Sequence, residues 1–116
     1  MEYIIIGAIV LFVVWRMMPT KGVKSITTVQ LKDLLNRKDV QFIDVRTPGE
    51  YKGRNIRQFK NIPLNTLASN LDKLKKDQEV VVICQSGMRS SNACKILKKS
   101  GFTNVTNVRG GMSAWH

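Results

Sequence analysis

What this 116-residue chain has little of narrows its chemistry first. Its only histidine is the last residue, His116, so a histidine-assisted mechanism is not expected. Two cysteines, Cys84 and Cys94, are too few for a disulfide framework, and the second falls inside a helical pattern; a reducing compartment suits them. Acidic residues are scarce, eight against nineteen Lys and Arg, which leaves a net charge of +11. Such a surface favours anionic substrates, acidic lipid headgroups or nucleic acid. Aromatics make up only 7%, and no basic helix is interleaved with them, which argues against nucleic acid. No internal repeat or low-complexity tract divides the chain, and its length supports one domain of ordinary core size.

One stretch organises what is present. Val80-Val81-Val82-Ile83 is a run of β-branched residues that reads as a fully buried strand ending at Cys84. A short polar loop, Gln85-Ser86-Gly87, leads into a helical pattern from about Arg89 to Ser100. Cys84 therefore stands where a strand's carboxyl end turns into a helix amino end, the place where open α/β sheets bind ligands. The backbone amides of residues 85 to 90 and the helix dipole both favour an anionic sulfur there. The plainer alternative is a buried cysteine packing as a small hydrophobe. Gly87, which permits close approach, and Arg89, which stays charged, favour the reactive thiol. Arg89 itself has a plainer reading, as a surface arginine at a helix start.

Tyr3 to Trp15 is an uninterrupted apolar or glycine run with Arg16, Lys21 and Lys24 after it and Glu2 before it. A cleaved signal peptide or a buried core helix competes with a single membrane anchor over residues 1–18. The anchor is preferred, its basic flank keeping the folded part in the cytoplasm. Residues 19–24 read as a linker and 25–116 as the folded domain. Ser25-Ile26 reads as an edge strand, and Thr27 with Gln30 as a capping box opening a helix through Val29, Leu31, Leu34 and Leu35. Val40 to Val45 reads as a strand. Thr47-Pro48-Gly49-Glu50 reads as a second capped helix start, with Glu50 as the capping acid. Asn65 reads as the cap of a helix bearing Leu67, Leu71 and Leu74, Asn104 to Val108 as a last strand, and Gly110-Gly111 as the turn into a terminal helix with Trp115. Alternation of this kind implies a parallel sheet covered on both faces. Cys94 reads as core, with a resolving thiol as the alternative.

Five landmarks in this order resemble a single-domain rhodanese: Asp44-Val45-Arg46, Glu50-Tyr51, Asn61-Ile62-Pro63, Cys84-x-Ser-Gly-x-Arg-Ser, and Arg109-Gly110-Gly111-Met112-x-Ala-Trp115. The resemblance implies an α/β, rhodanese-like three-layer sandwich with a central parallel sheet, preceded here by one hydrophobic N-terminal helix. It implies a sulfurtransferase in which Cys84 carries a persulfide, Gln85, Ser86, Gly87, Met88, Arg89 and Ser90 cradle the sulfur or its anionic donor, and Asp44 and Arg46 support the loop. No metal or organic cofactor is implied. The partners would be a small anionic sulfur donor and a thiol or cyanide-like acceptor, a protein acceptor being admitted, with the N-terminal helix in the membrane. Arg54-Asn55-Ile56 replaces the Gly-His-Ile common in the family, and Gln85 stands where thiosulfate-using relatives are often basic.

Two other classes remain open on sequence grounds. One is a non-catalytic scaffold at the membrane. The other is a cysteine-dependent phosphatase or arsenate reductase, which resembles this pattern but uses Cys-x5-Arg. Here the spacing is Cys84-x4-Arg89, a tighter loop without an internal general acid.

Overall fold

Four buried β-branched residues fix the centre of the sheet. Val80 to Ile83 are closed off from solvent in strand β4 (Glu79–Ile83), as the unbroken apolar run requires. The structure, a computed structural model, describes residues 2–17 and 22–116. The other strands are β1 (Val23–Ile26), β2 (Val40–Asp44), β3 (Lys60–Asn61) and β5 (Val105–Val108). They form one sheet in the order β1-β5-β4-β2-β3, and every pairing is parallel.

Period-two alternation splits β4 between two cores. Val80 and Val82 join Ala93, Cys94 and Leu97 of helix α5 (Met88–Lys99) and Leu67 of α4 (Leu64–Leu67). Val81 and Ile83 face the other side, with Leu31 of α2 (Thr28–Leu34), Ile56, Phe59, and Met112 of α6 (Gly111–Ala114). The sheet is thus covered on both faces, and every strand delivers its carboxyl end to one edge.

The two capping boxes are present as spaced. Thr27 accepts from the Gln30 amide while Gln30 accepts from the Thr27 amide, and Thr47 and Glu50 do the same ahead of α3 (Pro48–Gly53). Helix α5 ends as expected at Gly101, whose φ of 94° only glycine adopts cheaply.

Several boundaries differ from the sequence reading. β1 begins at Val23, inside the expected linker, and pairs with Val105 to Val108. Val29 is 71% exposed and not on the inner face of α2. Asn65 does not cap a helix: Pro63 occupies the N-cap of α4, and a 3₁₀ turn, Leu71–Lys73, follows after a break.

The expected anchor forms α1 (Glu2–Met17), sixteen residues long. That helix rises about 24 Å, short of a hydrocarbon core of about 30 Å. Among the described residues no helix is long and apolar enough to cross a membrane, which corrects the expected span over residues 1–18. Residues 18–21, the end of that segment and part of the linker, lie outside the described residues. The buried-core alternative also fails, since Tyr3, Ile4, Ile5, Ile6, Ile9, Val10 and Leu11 are all exposed.

Candidate active site

At the carboxyl edge of the sheet, Cys84 follows the last residue of β4 and is fully buried. Three residues later Gly87 adopts φ 109°, a left-handed conformation that turns its amide back toward the sulfur. The Gly87 N–H donates to Cys84 Sγ at 3.0 Å, and the buried Ser90 hydroxyl lies 3.3 Å from the same sulfur. Ser90 Oγ also stands 3.0 Å from the Gly87 carbonyl, so one hydroxyl ties together both sides of the turn. The ring of loop amides expected around the sulfur is thus narrower: among the described residues the Gly87 amide alone donates to Sγ. The amides of Met88, Arg89 and Ser90 open α5, where the helix has no carbonyl one turn back to accept from them.

A second layer holds the turn from the side of β2. Asp44 and Arg46 form a buried ion pair at 2.8 Å, with side chains 0% and 2% exposed. Burying charge is costly unless every donor is met. Here Arg46 Nε and Nη2 donate to the Asp44 carboxylate, Nη1 to the Glu50 carbonyl at 3.3 Å, and Nη2 to the Arg54 carbonyl at 2.5 Å. Nη1 also reaches Gln85 Oε1 at 3.3 Å. The Gln85 amide nitrogen donates in turn to Ser113 Oγ at 3.2 Å. The Gln85 side chain is therefore committed to neighbours that fix the loop.

Arg89 reaches across to α3. Its Nη1 and Nη2 donate to the two Glu50 carboxylate oxygens at 2.6 and 2.9 Å. This fork holds the Glu50 carboxyl down at about 2, with the Thr47 amide assisting, and raises Arg89 further. Glu50 so caps α3 and anchors the loop at once. Met88 is 77% exposed, Ser86 is exposed, and a pocket lined by Val45, Thr47, Pro63, Leu64 and Asn65 shares Arg89 as its wall.

From behind, α6 presses on the turn. Met112 N–H donates to the Cys84 carbonyl at 2.8 Å and Ser113 N–H to the Gln85 carbonyl at 2.9 Å. A Cβ on Gly111 would lie 2.3 Å from the Cys84 oxygen, so only glycine permits this approach. Arg54 grips the far end of α6, donating to the Met112 carbonyl at 3.2 Å and to the Trp115 carbonyl.

A family model for the rhodanese-like domain matches residues 27–116. The chain is a member of the rhodanese-like domain family. It is 42% identical over 94 residues to the putative sulfurtransferase YtwF of Bacillus subtilis, covering 80% of this chain and 90% of that one. It is 32% identical to the thiosulfate sulfurtransferase GlpE of Shewanella oneidensis, covering 80% of this chain and 92% of that protein. A crystal structure of a rhodanese-like domain protein from Staphylococcus aureus superposes with a TM-score of 0.74 at 39% identity, over 80% of this chain and 91% of that one.

In this rhodanese-like domain Gly87 and Ser90 contact the Cys84 sulfur, Gln85 and Arg89 tie the loop to Arg46 and Glu50, Asp44 and Arg46 lie one layer back, and Ser86 and Met88 are exposed on the rim. Sequence reasoning assigns no site role to three contributors, two of which, Asn61 and Glu50, stand among its landmarks. Asn61 donates from Nδ2 to the Asp44 and Arg46 carbonyls at 3.0 and 2.9 Å and closes the turn after β2. From the sequence Glu50 reads as a landmark and a helix cap, and Arg54 as a departure from the family pattern. The Gly110-Gly111 pair was the available signal for close backbone contact. Cys94 packs in the α5 core with its thiol pushed up to about 12 by burial, which fits core packing and offers nothing to a resolving role.

Proposed function

We propose that Cys84 of this rhodanese-type sulfurtransferase accepts sulfane sulfur as a persulfide and passes it to a thiophilic acceptor. The single observation that carries the reading is the Gly87 amide aimed at Cys84 Sγ in a turn that opens a twelve-residue helix. The Cys84 thiolate attacks the outer sulfur of an anionic donor. With thiosulfate the donor S–S bond breaks and sulfite leaves with the electron pair. The acceptor thiolate then attacks the outer persulfide sulfur, and the Cys84 thiolate departs. The Gly87 amide, the Ser90 hydroxyl and the unbonded first-turn amides stabilise negative charge on sulfur through both steps. Arg89, closed on Glu50, acts by holding the loop rather than by meeting the leaving anion.

Intact-mass measurement after incubation with thiosulfate or a small persulfide tests this reading. The wild type should gain one sulfur that thiols remove, and Cys84→Ser should gain none. A sulfur retained by the serine variant, or no gain with any donor, would sink it.

The exposed apolar stretch of α1 from Tyr3 to Leu11 supports attachment to a membrane, with the basic residues after α1 favouring a cytoplasmic domain. Deleting residues 1–18 should abolish flotation with lipid vesicles and leave sulfur transfer intact. Flotation that survives the deletion would refute the attachment.

A further inference from the structure

Charge is sorted along the strand direction of this sheet. Asp39, Asp77 and Glu79 stand at the amino ends of β2 and β4, away from Cys84. At the carboxyl edge the carboxylates are Asp44 and Glu50, and each is closed on its own arginine, Arg46 or Arg89. Residues 45–53 leave β2 at that edge and form α3, held there by the Arg46 contact to the Glu50 carbonyl and the Arg89–Glu50 fork. The chain then turns back to enter parallel β3 from its amino side, with Lys60 beside Ile43. The α3 segment brings Lys52 to the carboxyl edge, Arg54 follows with its guanidinium held by the Met112 and Trp115 carbonyls, and the turn after β5 adds Arg109. All three are exposed, and among the described residues none forms a salt bridge. Met88 stands on the same rim with 77% of its surface free. Arginine and methionine are enriched in protein interfaces.

We propose that this collar is the docking surface for an acidic polypeptide carrying the thiol that receives the Cys84 sulfur, a proposal that rests on the sulfur-transfer reading above. Cys84 is fully buried, so a flat protein surface cannot reach it, whereas a cysteine on an extended acidic segment can enter. Like charge repels basic partners, and uncompensated arginines raise the rate of encounter with acidic ones. In the transfer the polypeptide thiolate attacks the outer sulfur of the Cys84 persulfide. A new S–S bond forms on the polypeptide, the old one breaks, and the electron pair stays on Cys84.

The test loads the full-length protein with persulfide and compares three acceptors. These are a peptide with one cysteine among Asp and Glu, the same peptide with Asn and Gln, and 2-mercaptoethanol. The acidic peptide should exceed its neutral twin in kcat/KM by about tenfold at low salt, and about 0.5 M salt should erase the difference. A K52E/R109E variant should lose or invert that preference while its rate with 2-mercaptoethanol changes less than about twofold. Equal rates for the two peptides on the wild type overturn the proposal whether or not the variant folds. So does a variant that keeps the peptide preference but no longer binds phosphatidylglycerol vesicles, since the collar would then face lipid. No transfer to 2-mercaptoethanol from the loaded wild type overturns the sulfur-transfer reading itself.

Discussion

Cys84 and Cys94 lie in one strand-to-helix segment, and both are closed off from solvent. Both belong to one apolar cluster, and they differ in the polar groups that reach the sulfur. Cys94 sits one face inward on α5 among Val80, Val82, Leu97 and Phe102, where nothing stabilises a charged sulfur and burial pushes the thiol up to about 12. Cys84 sits at the sheet edge, where a glycine amide and a serine hydroxyl point at its sulfur and a braced loop holds them there. With Cys84 as the proposed transfer residue, burial alone does not decide whether a cysteine is inert; the polarity of the groups that reach its sulfur does.

The sharpest way to break this comparison is to exchange the fates of the two thiols. Cys84→Ser should reduce sulfur transfer on the order of a thousandfold or more, the scale lost when a covalent nucleophile is removed. Cys94→Ser should leave kcat within about a factor of three. Steady-state rates with thiosulfate, or another donor that loads the wild type, decide it. Comparable losses in the two variants would place Cys94 in the chemistry and end the distinction.

Next in size is the bracing on the polar side. Asp44→Asn leaves the Arg46 guanidinium buried without its counter-charge, a change worth about 3–5 kcal/mol of stability for pairs of this kind. Because Arg46 also holds the Glu50 and Arg54 carbonyls and Gln85, the Cys84 loop should loosen with it. Urea denaturation reads the first effect. The rate of Cys84 alkylation, compared with Cys94 in the same sample, reads the second, and it should change at Cys84 alone.

How much of this contrast was legible in the sequence depends on how local the cause is. The β4 run, the Cys84 turn and both capping boxes rest on neighbours within a few residues, and they were readable. β3 was not, because Lys60-Asn61 has no apolar pattern and is a strand only through its register with Ile43 and Asp44. Leu67, Leu71 and Leu74 do pack on one cluster as their spacing indicated. The helix joining them breaks at Ser69-Asn70, residues that compete for backbone hydrogen bonds. The Arg89–Glu50 fork spans 39 positions, and no spacing rule reaches that far. For α1 the apolar run announces the helix, Glu2–Met17, while its sixteen residues are too few to make the expected membrane span.

On the apolar side, Cys94→Ser buries a hydroxyl among hydrocarbon and should cost about 1–3 kcal/mol. The thiol adds a pH signature. Its folded value is raised from 9.0 to about 12, so the folded state holds the proton more tightly than the unfolded chain. That contribution is complete below about pH 9 and is lost as pH climbs toward 12. The serine variant should lack this component of the alkaline fall in stability; denaturation midpoints between pH 8 and 11 would show two curves converging. Parallel curves would mean that Cys94 does not titrate as a core thiol.

The smallest effect belongs to the half-exposed fork. Glu50 and Arg89 are 33% and 36% exposed, so Glu50→Gln should cost no more than about 1 kcal/mol despite the short contacts. The Glu50 carboxyl is lowered from 4.5 to about 2, chiefly by Arg89. A depressed acid stabilises the fold above its unfolded value, and that stabilisation fades as pH falls from about 4.5 toward 2. Wild type and Glu50→Gln should therefore differ at pH 7 and converge near pH 2 in thermal melts. The functional arm matters more than the stability arm. If Arg89 holds the loop through Glu50, the variant lowers transfer at pH 7 in proportion to loop disorder, and Arg89→Lys, which cannot rebuild a bidentate fork, lowers it similarly. If Arg89 instead meets the donor anion, freeing it from Glu50 should lower KM for thiosulfate, and the division between a braced sulfur and a merely buried one would need another anchor.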